Sequence, residues 1–354
     1  MRDTGKPTVN YAGRVALLWA LGGLGLASAE TMAPASGPSA PPVASVHGKH
    51  PDRSVAEWLV RMHEASRLRS YIGTFVVLSN SGSMSSARIW HACKGDQQIE
   101  RVESLTGAPR SVFRRNQEVV TFLPESRVVR AEKRESTGMF PNLLKAGESS
   151  IPQFYEARPL GSDRVAGFEA DVVQLAAKDN LRFGYRIWSE KKSGLVVKLQ
   201  TVNAQGTVLE QVAFSELQLD APVRAGKLSQ MMSATEGWRV EKPDTLKTSA
   251  DAEGWHLKSP VAGFQPVNCY KRPGTGTAAS VPEGTMQWVF SDGLAAVSLF
   301  VEPYDRQRHV HEGLFASGAT QTLTRRIDDW WLTAVGEVPQ RTLNAFAQSL
   351  ERHK

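Results

Sequence analysis

Residues 71–91 read YIGTFVVLSNSGSMSSARIWH, and this stretch decides the fold. Residues 71–78 are rich in β-branched and aromatic side chains, which suit a pleated, half-buried surface. Residues 80–83 (NSGS) carry turn chemistry, and residues 85–91 (SSARIWH) form a second run of the same kind. Together they predict an antiparallel hairpin. The same grammar continues downstream. Residues 97–103 alternate Ile99 and Val102 with charge, residues 110–115 and 118–122 flank Asn116-Gln117, and residues 128–131 make another short run. Strands resume at residues 171–176, 181–188 (LRFGYRIW), 195–202 and 208–219, with turns at Lys192-Ser193-Gly194 and at residues 203–206. Short strands at this spacing predict one meander closing toward a barrel or half-barrel.

Working outward, residues 54–57 (SVAE) read as a capping box, Ser54 as N-cap and Glu57 reaching back. Val55, Leu59, Met62, Ala65 and Leu68 then recur at helical spacing, so a helix packs against the sheet. Residues 137–150 interrupt the strands with Gly138, Pro141 and Gly147 around Met139, Phe140, Leu143 and Leu144. They read either as a lid over the barrel mouth or as a surface loop packing its own apolar residues. Residues 221–232 (APVRAGKLSQMM) lack a clear period and contain Pro222 and Gly226, which places an interdomain linker there.

Beyond it, Gly237-Trp238-Arg239-Val240 and residues 264–270 read as strands of a smaller domain. Residues 286–291 and 295–302 form a hairpin about Asp292-Gly293, and residues 320–326 and 330–335 form another about Asp328-Asp329. Pro339 opens a last helix with Leu343, Phe346, Ala347 and Leu350 on one face. The fold class is therefore mostly β, α+β. It comprises a large half-barrel antiparallel sheet covered by a helix (residues 51–220) and, past the linker at 221–232, a smaller α+β domain (233–354).

The N-terminus reads as an export address. Arg2, Lys6 and Arg14 precede an apolar run at residues 15–26, and Ala27-Ser28-Ala29 gives a small-x-small cleavage pattern before Glu30. The run is shorter than the roughly 20 apolar residues a membrane span needs, which favours a cleaved signal peptide (1–29) over an anchor. Residues 30–50, rich in Pro, Ala, Ser and Gly, read as a disordered spacer. The net charge of +6 is moderate, with arginine clusters at 114–115, 127–134 and 325–326. In an exported protein such clusters read either as ordinary solvated strand faces or as a surface for anionic lipid, lipopolysaccharide or an acidic protein segment, rather than for nucleic acid. Cys93 and Cys269 are the only cysteines, and two buried free thiols or one bridge are both open readings.

Catalytic motifs are missing: the chain contains no HExxH, GxSxG or GxxxxGK[ST]. His309-Val310-His311-Glu312 lacks the third ligand a metal requires, and Asp328-Asp329 fits a turn better than a pair of catalytic carboxylates. Nothing in the sequence asks for a cofactor. The apolar content suggests instead a concave interior for acyl chains or an apolar peptide, lined by Phe75, Val77, Ile89, Phe113, Phe122, Phe183, Tyr185, Ile187 and Phe214. Taken one at a time, each of these residues is better read as ordinary core.

Read together, these segments resemble the MucB/RseB family of sigma-E regulators. The resemblance is carried by Tyr71-Ile72-Gly73-Thr74-Phe75, Met84-Ser85-Ser86-Ala87-Arg88-Ile89, Leu105-Thr106-Gly107-Ala108-Pro109-Arg110 and Phe183-Gly184-Tyr185-Arg186-Ile187-Trp188. In the second domain it continues through Phe290-Ser291-Asp292-Gly293-Leu294-Ala295, Leu299-Phe300-Val301-Glu302-Pro303 and Val335-Gly336-Glu337-Val338-Pro339. It implies a large domain similar to the lipoprotein carriers LolA and LolB. It also implies a periplasmic, non-enzymatic brake that binds the periplasmic domain of an inner-membrane RseA/MucA-type anti-sigma factor and shields it from regulated proteolysis. Lipoprotein acyl chains or lipopolysaccharide would be the releasing signals. Monomer and dimer stay open, and a periplasmic lipid or lipoprotein carrier is the competing reading.

Overall fold

A computed structural model of the chain describes residues 53–94, 97–133, 140, 150–242, 246–272 and 284–353. The expected signal peptide, its cleavage site and the spacer lie outside the described residues, as does most of the interrupting segment at 137–150.

The first element is helix α1, Val55–Leu68. Ser54 caps it as expected: its hydroxyl accepts the Glu57 N–H at 3.2 Å, and the Ser54 N–H donates to Glu57 Oε2 at 2.7 Å. Val55, Trp58, Leu59, Met62 and Ala65 are buried against the sheet. Leu68, expected on that stripe, is instead 66% exposed, and Trp58, which the periodicity passed over, is 1% exposed.

Six strands follow: β1 (Tyr71–Ser79), β2 (Met84–Lys94), β3 (Gln97–Ser104), β4 (Ser111–Arg115), β5 (Glu118–Leu123) and β6 (Val128–Lys133). Short α2 (Ile151–Phe154) leads into β7 (Tyr155–Val165), β8 (Phe168–Ala177), β9 (Gly184–Glu190), β10 (Val196–Val202) and β11 (Val208–Leu219). Helix α3 (Ala225–Ser233) and β12 (Arg239–Glu241) come next. These strands form one twelve-stranded sheet ordered β12-β6-β5-β4-β3-β2-β1-β11-β10-β9-β8-β7. Every pairing in it is antiparallel except β12 on β6.

Four differences separate the structure from the sequence reading, the first two with local causes. Strand β7 escaped notice because it is an edge strand with Glu156, Arg158, Asp163 and Arg164 on it and a register shift between Pro159 and Gly161. Strand β9 starts at Gly184 rather than at Leu181, because Asp179 Oδ1 accepts the Leu181 N–H and holds the chain in a turn. Residues 221–232, expected as a linker, contain most of α3, whose Leu228 and Met232 pack on the large sheet. Arg239–Glu241, expected in the smaller domain, extends that same sheet.

The smaller unit contains β13 (Leu246–Lys247), β14 (Trp255–Leu257), β15 (Gln265–Arg272), β16 (Thr285–Ser291), β17 (Ala296–Pro303), β18 (Gly313–Ser317), β19 (Thr320–Ile327), β20 (Trp330–Gly336), helix α4 (Gln340–Ser349) and β21 (Leu350–Arg352). Seven of the strands make a sheet ordered β13-β15-β16-β17-β20-β19-β18, and β14 pairs with β21. Pro339 caps α4, which buries Leu343 and Phe346 completely against Phe264 and Phe290. Asp328-Asp329 forms the β19–β20 turn, with Asp328 at φ 50°.

Helix α1 is fastened to the β9–β10 turn by one side chain. The Arg61 guanidinium donates to the carbonyls of Glu190 and Lys191, and a Cβ on Gly194 would come within 2.8 Å of the Arg61 stem. We expect Arg61→Ala to remove about 1.5–3 kcal/mol of local stability, the usual range for hydrogen bonds from a charged donor. Faster amide exchange confined to α1 and residues 190–195 would be the signature. Unchanged exchange there would show that apolar packing alone holds the helix.

Candidate functional site

Strand alternation and register sort the expected cavity residues onto two faces. On β1, residues Tyr71, Gly73, Phe75, Val77 and Ser79 share one face. Register carries that face to Ala87 and Ile89 on β2 and to Val212 and Phe214 on β11. It continues through Leu199 on β10 to Tyr185 and Ile187 on β9. Helix α1 covers this side. In the other direction Ile89 sits opposite Val102, and Val102 opposite Val112. Phe113 therefore points to the opposite face, and Phe122 follows it. There they pack with Val129, Leu228, Met232 and Trp238 under α3.

The nine residues consequently do not line one cavity. Phe75, Val77, Ile89, Tyr185, Ile187 and Phe214 come together on the α1 side. Phe113 and Phe122 lie behind the sheet, and Phe183 is buried just before β9, outside the regular alternation. Phe140 enters the α1-side core, with ring centroids 5.7 Å from Phe75 and 5.0 Å from Phe214. Most of the rest of the segment read either as a lid or as a surface loop, Met139, Leu143 and Leu144 included, lies outside the described residues. Beside α1 an open groove of about 850 Å³ is lined by Ala56, Val60, Arg61, Glu64, Leu68 and Asp220.

The second notable region is the seam between the two sheets, and it was not legible in the sequence. Arg182 is its centre. Its Nε donates to Asp292 Oδ2 at 2.6 Å, with both side chains fully buried, and its Nη2 donates to the Ala262 carbonyl at 2.7 Å. A further ion pair joins it to Asp179. The guanidinium lies 4.1 Å from the Phe154 ring centroid and 4.9 Å from that of Phe264, one ring from each unit. Asp292 also accepts from Tyr155 Oη at 3.3 Å, and burial holds the Tyr155 hydroxyl well above its ordinary pKa. Apolar residues cross over as well: Leu181 packs on the small unit's core and Leu294 on the large unit's. The Thr342 hydroxyl donates to the Leu181 carbonyl at 2.7 Å.

The remaining chemistry-bearing residues are occupied structurally. His309 is buried; it meets Glu302 at 3.1 Å and stacks on Trp331. Among the described residues no group of three or more His, Cys, Asp or Glu could hold a metal ion. Cys93 and Cys269 are free thiols, and burial pushes the Cys269 thiol up to about 12.

Comparison with known proteins fits this two-unit architecture. The profile of the MucB/RseB N-terminal domain matches residues 54–232, and that of the MucB/RseB C-terminal domain matches residues 249–351. The sigma factor AlgU regulatory protein MucB of Pseudomonas aeruginosa is 30% identical over 305 residues, covering 83% of this chain and 90% of that protein. The sigma-E factor regulatory protein RseB of Escherichia coli K12 is 22% identical, covering 83% of this chain and 89% of that protein. The crystal structure of MucB in complex with MucA(peri) superposes with a TM-score of 0.63 at 27% identity, covering 84% of this chain and 99% of that one.

Proposed function

Because the chain belongs to the MucB/RseB family, we propose that it acts as a periplasmic negative regulator of an envelope-stress sigma factor. It binds the periplasmic domain of a RseA/MucA-type anti-sigma factor and shields that flexible segment from regulated cleavage. The observation that carries this reading is likeness across both units at once, to a relative solved together with MucA(peri). A carrier would need only the large sheet. Here the small unit is joined to it by a buried ion pair and by apolar residues exchanged in both directions. The role asks for no turnover and no cofactor.

In this reading the α1-side face is the ligand-receiving part. Phe75, Val77, Ile89, Tyr185, Ile187 and Phe214 offer an apolar surface to an acyl chain of a lipoprotein or lipopolysaccharide, with Phe140 as the side chain to be displaced. Such a ligand releases the partner only by preferring the unbound state, since equal affinity for both states shifts nothing.

The test mixes the purified chain with the periplasmic region of the anti-sigma factor from the same organism. The expected result is a complex in which that region resists the protease that otherwise cuts it. The absence of both binding and protection would remove the proposal. Transfer of copurified lipid to an acceptor, without any complex, would replace it with the carrier reading.

A further inference from the structure

Where the small unit docks on the α1-side face, two acids meet without a base among the described residues. Register places Ser79 of β1, Glu210 of β11, Thr201 of β10 and Tyr185 of β9 in one row across four neighbouring strands. The β18–β19 turn of the small unit sits on this row. A Cβ on Gly318 would come within 2.6 Å of Glu210 Oε2 and 3.2 Å of Ser79 Cβ, and Ala319 is fully buried. The Ala319 N–H donates to the Glu210 carboxyl. Glu337 directly follows Gly336, which pairs with Gln321 of β19 two residues past Ala319, so a second carboxyl stands at this same corner and feels the charge of Glu210.

Among the described residues, neither Glu210 nor Glu337 has a Lys, Arg or His partner. Around them stand the Tyr185 hydroxyl from β9 and the Ser79 and Thr201 hydroxyls from β1 and β10. Beyond Tyr185 come Tyr155 from β7 and Asp292 from the β16–β17 turn, and the nearby cation, Arg182, is engaged by Asp292 and Asp179. The donor from the small unit's turn is a backbone N–H. Two carboxylates cannot both be charged in such a place without repelling the units that carry them.

We propose that Glu210 and Glu337 form a proton-held latch between the two units: one proton on the pair keeps the β18–β19 turn seated on the large sheet, and its loss unseats the turn. The inference rests on the seam alone and holds whatever the partner is. Burial raises both carboxyls, and the neighbouring Glu210 charge helps push Glu337 from its ordinary 4.5 to about 8. The sign follows. The docked state binds a proton that the undocked state has lost, so docking is fully supported below about 4.5 and weakens as pH rises. One proton changes the docking equilibrium by up to tenfold per pH unit, and the effect levels off above about 8. Acidification would therefore tighten the protein, and mild alkali would loosen it.

Amide exchange of the full chain between pH 5 and 9, corrected for the intrinsic pH dependence of exchange, tests this on peptides spanning residues 313–323. We expect protection there to fall as pH rises, by at least tenfold across the range, while peptides of β8 and β17 stay protected. Glu337→Gln, which keeps the shape and cannot ionise, should hold the turn seated at every pH; Glu210→Gln should do the same and serves if the first variant folds poorly. Protection that is pH-independent in the unaltered chain would overturn the latch. So would a pH response that both glutamine variants retain.

Discussion

Arg182→Ala is expected to cost about 3–5 kcal/mol and to uncouple the two units, because it leaves Asp292 as a buried charge without its counterion. Both partners are fully buried, so solvent does not screen the pair. Asp292 keeps the N–H donors of Leu294 and Ala295 and the Tyr155 hydroxyl, which places the loss toward the lower end of that range. Packing is lost too, since the guanidinium fills the space between Phe154 and Phe264. Arg182→Lys should rescue little. An ammonium has no planar fork with which to reach Asp292, Asp179 and the Ala262 carbonyl together. Chemical denaturation followed by tryptophan fluorescence would show the midpoint falling and one transition splitting into two. A loss under about 1 kcal/mol with a single transition would mean that the exchanged Leu181 and Leu294 hold the seam by themselves.

Gly73→Val is expected to be comparably damaging to the large sheet. A Cβ at this position would come within 2.5 Å of the Phe214 ring and 2.9 Å of the Glu216 carbonyl oxygen. The ring could turn, but the carbonyl belongs to the paired strand and cannot retreat without opening the ladder. Overpacking costs about 1–3 kcal/mol where neighbours relax, and the backbone contact puts this case at the top of that range or beyond it. The displaced Phe214 would press on Phe75 and Phe140, the rings assigned to the ligand-receiving face. Both the urea midpoint and the uptake of an apolar fluorescent probe should therefore change. A variant within about 0.5 kcal/mol of the parent would contradict the close packing of β1 on β11.

Gly73 also illustrates how far the sequence could be read. It lies inside the run that announced the first strand, and nothing about that run said what the glycine makes room for. The alternation of Phe75 and Val77 and the turns at residues 80–83 and 116–117 were legible because they are local properties of the backbone. The capping box at Ser54 was legible for the same reason. Strand β7 was not, because an edge strand exposes charge on both sides and loses its period. Helix α3 was not, because nine residues with a glycine near the start make a weak helical signal until the sheet beneath them is present.

The sequence by itself determined the strands of the large sheet around residues 71–91, the helix that begins at Ser54, and the hairpins about Asp292-Gly293 and Asp328-Asp329. Each follows from side-chain period and turn chemistry within a few residues. Only the tertiary structure decided which side of the sheet each apolar residue faces. Period-two alternation marks two faces without saying which is covered. That choice fell to α1 over Phe75 and Phe214, and to α3 over Phe113 and Phe122. The tertiary structure also decided that Arg182, Asp292, Glu210 and Glu337 matter. In the chain they are ordinary polar residues near turns and strand ends. Arg182 and Asp292 become fully buried, and Glu210 and Glu337 half-buried, only where the two units meet, and there their charges become consequential.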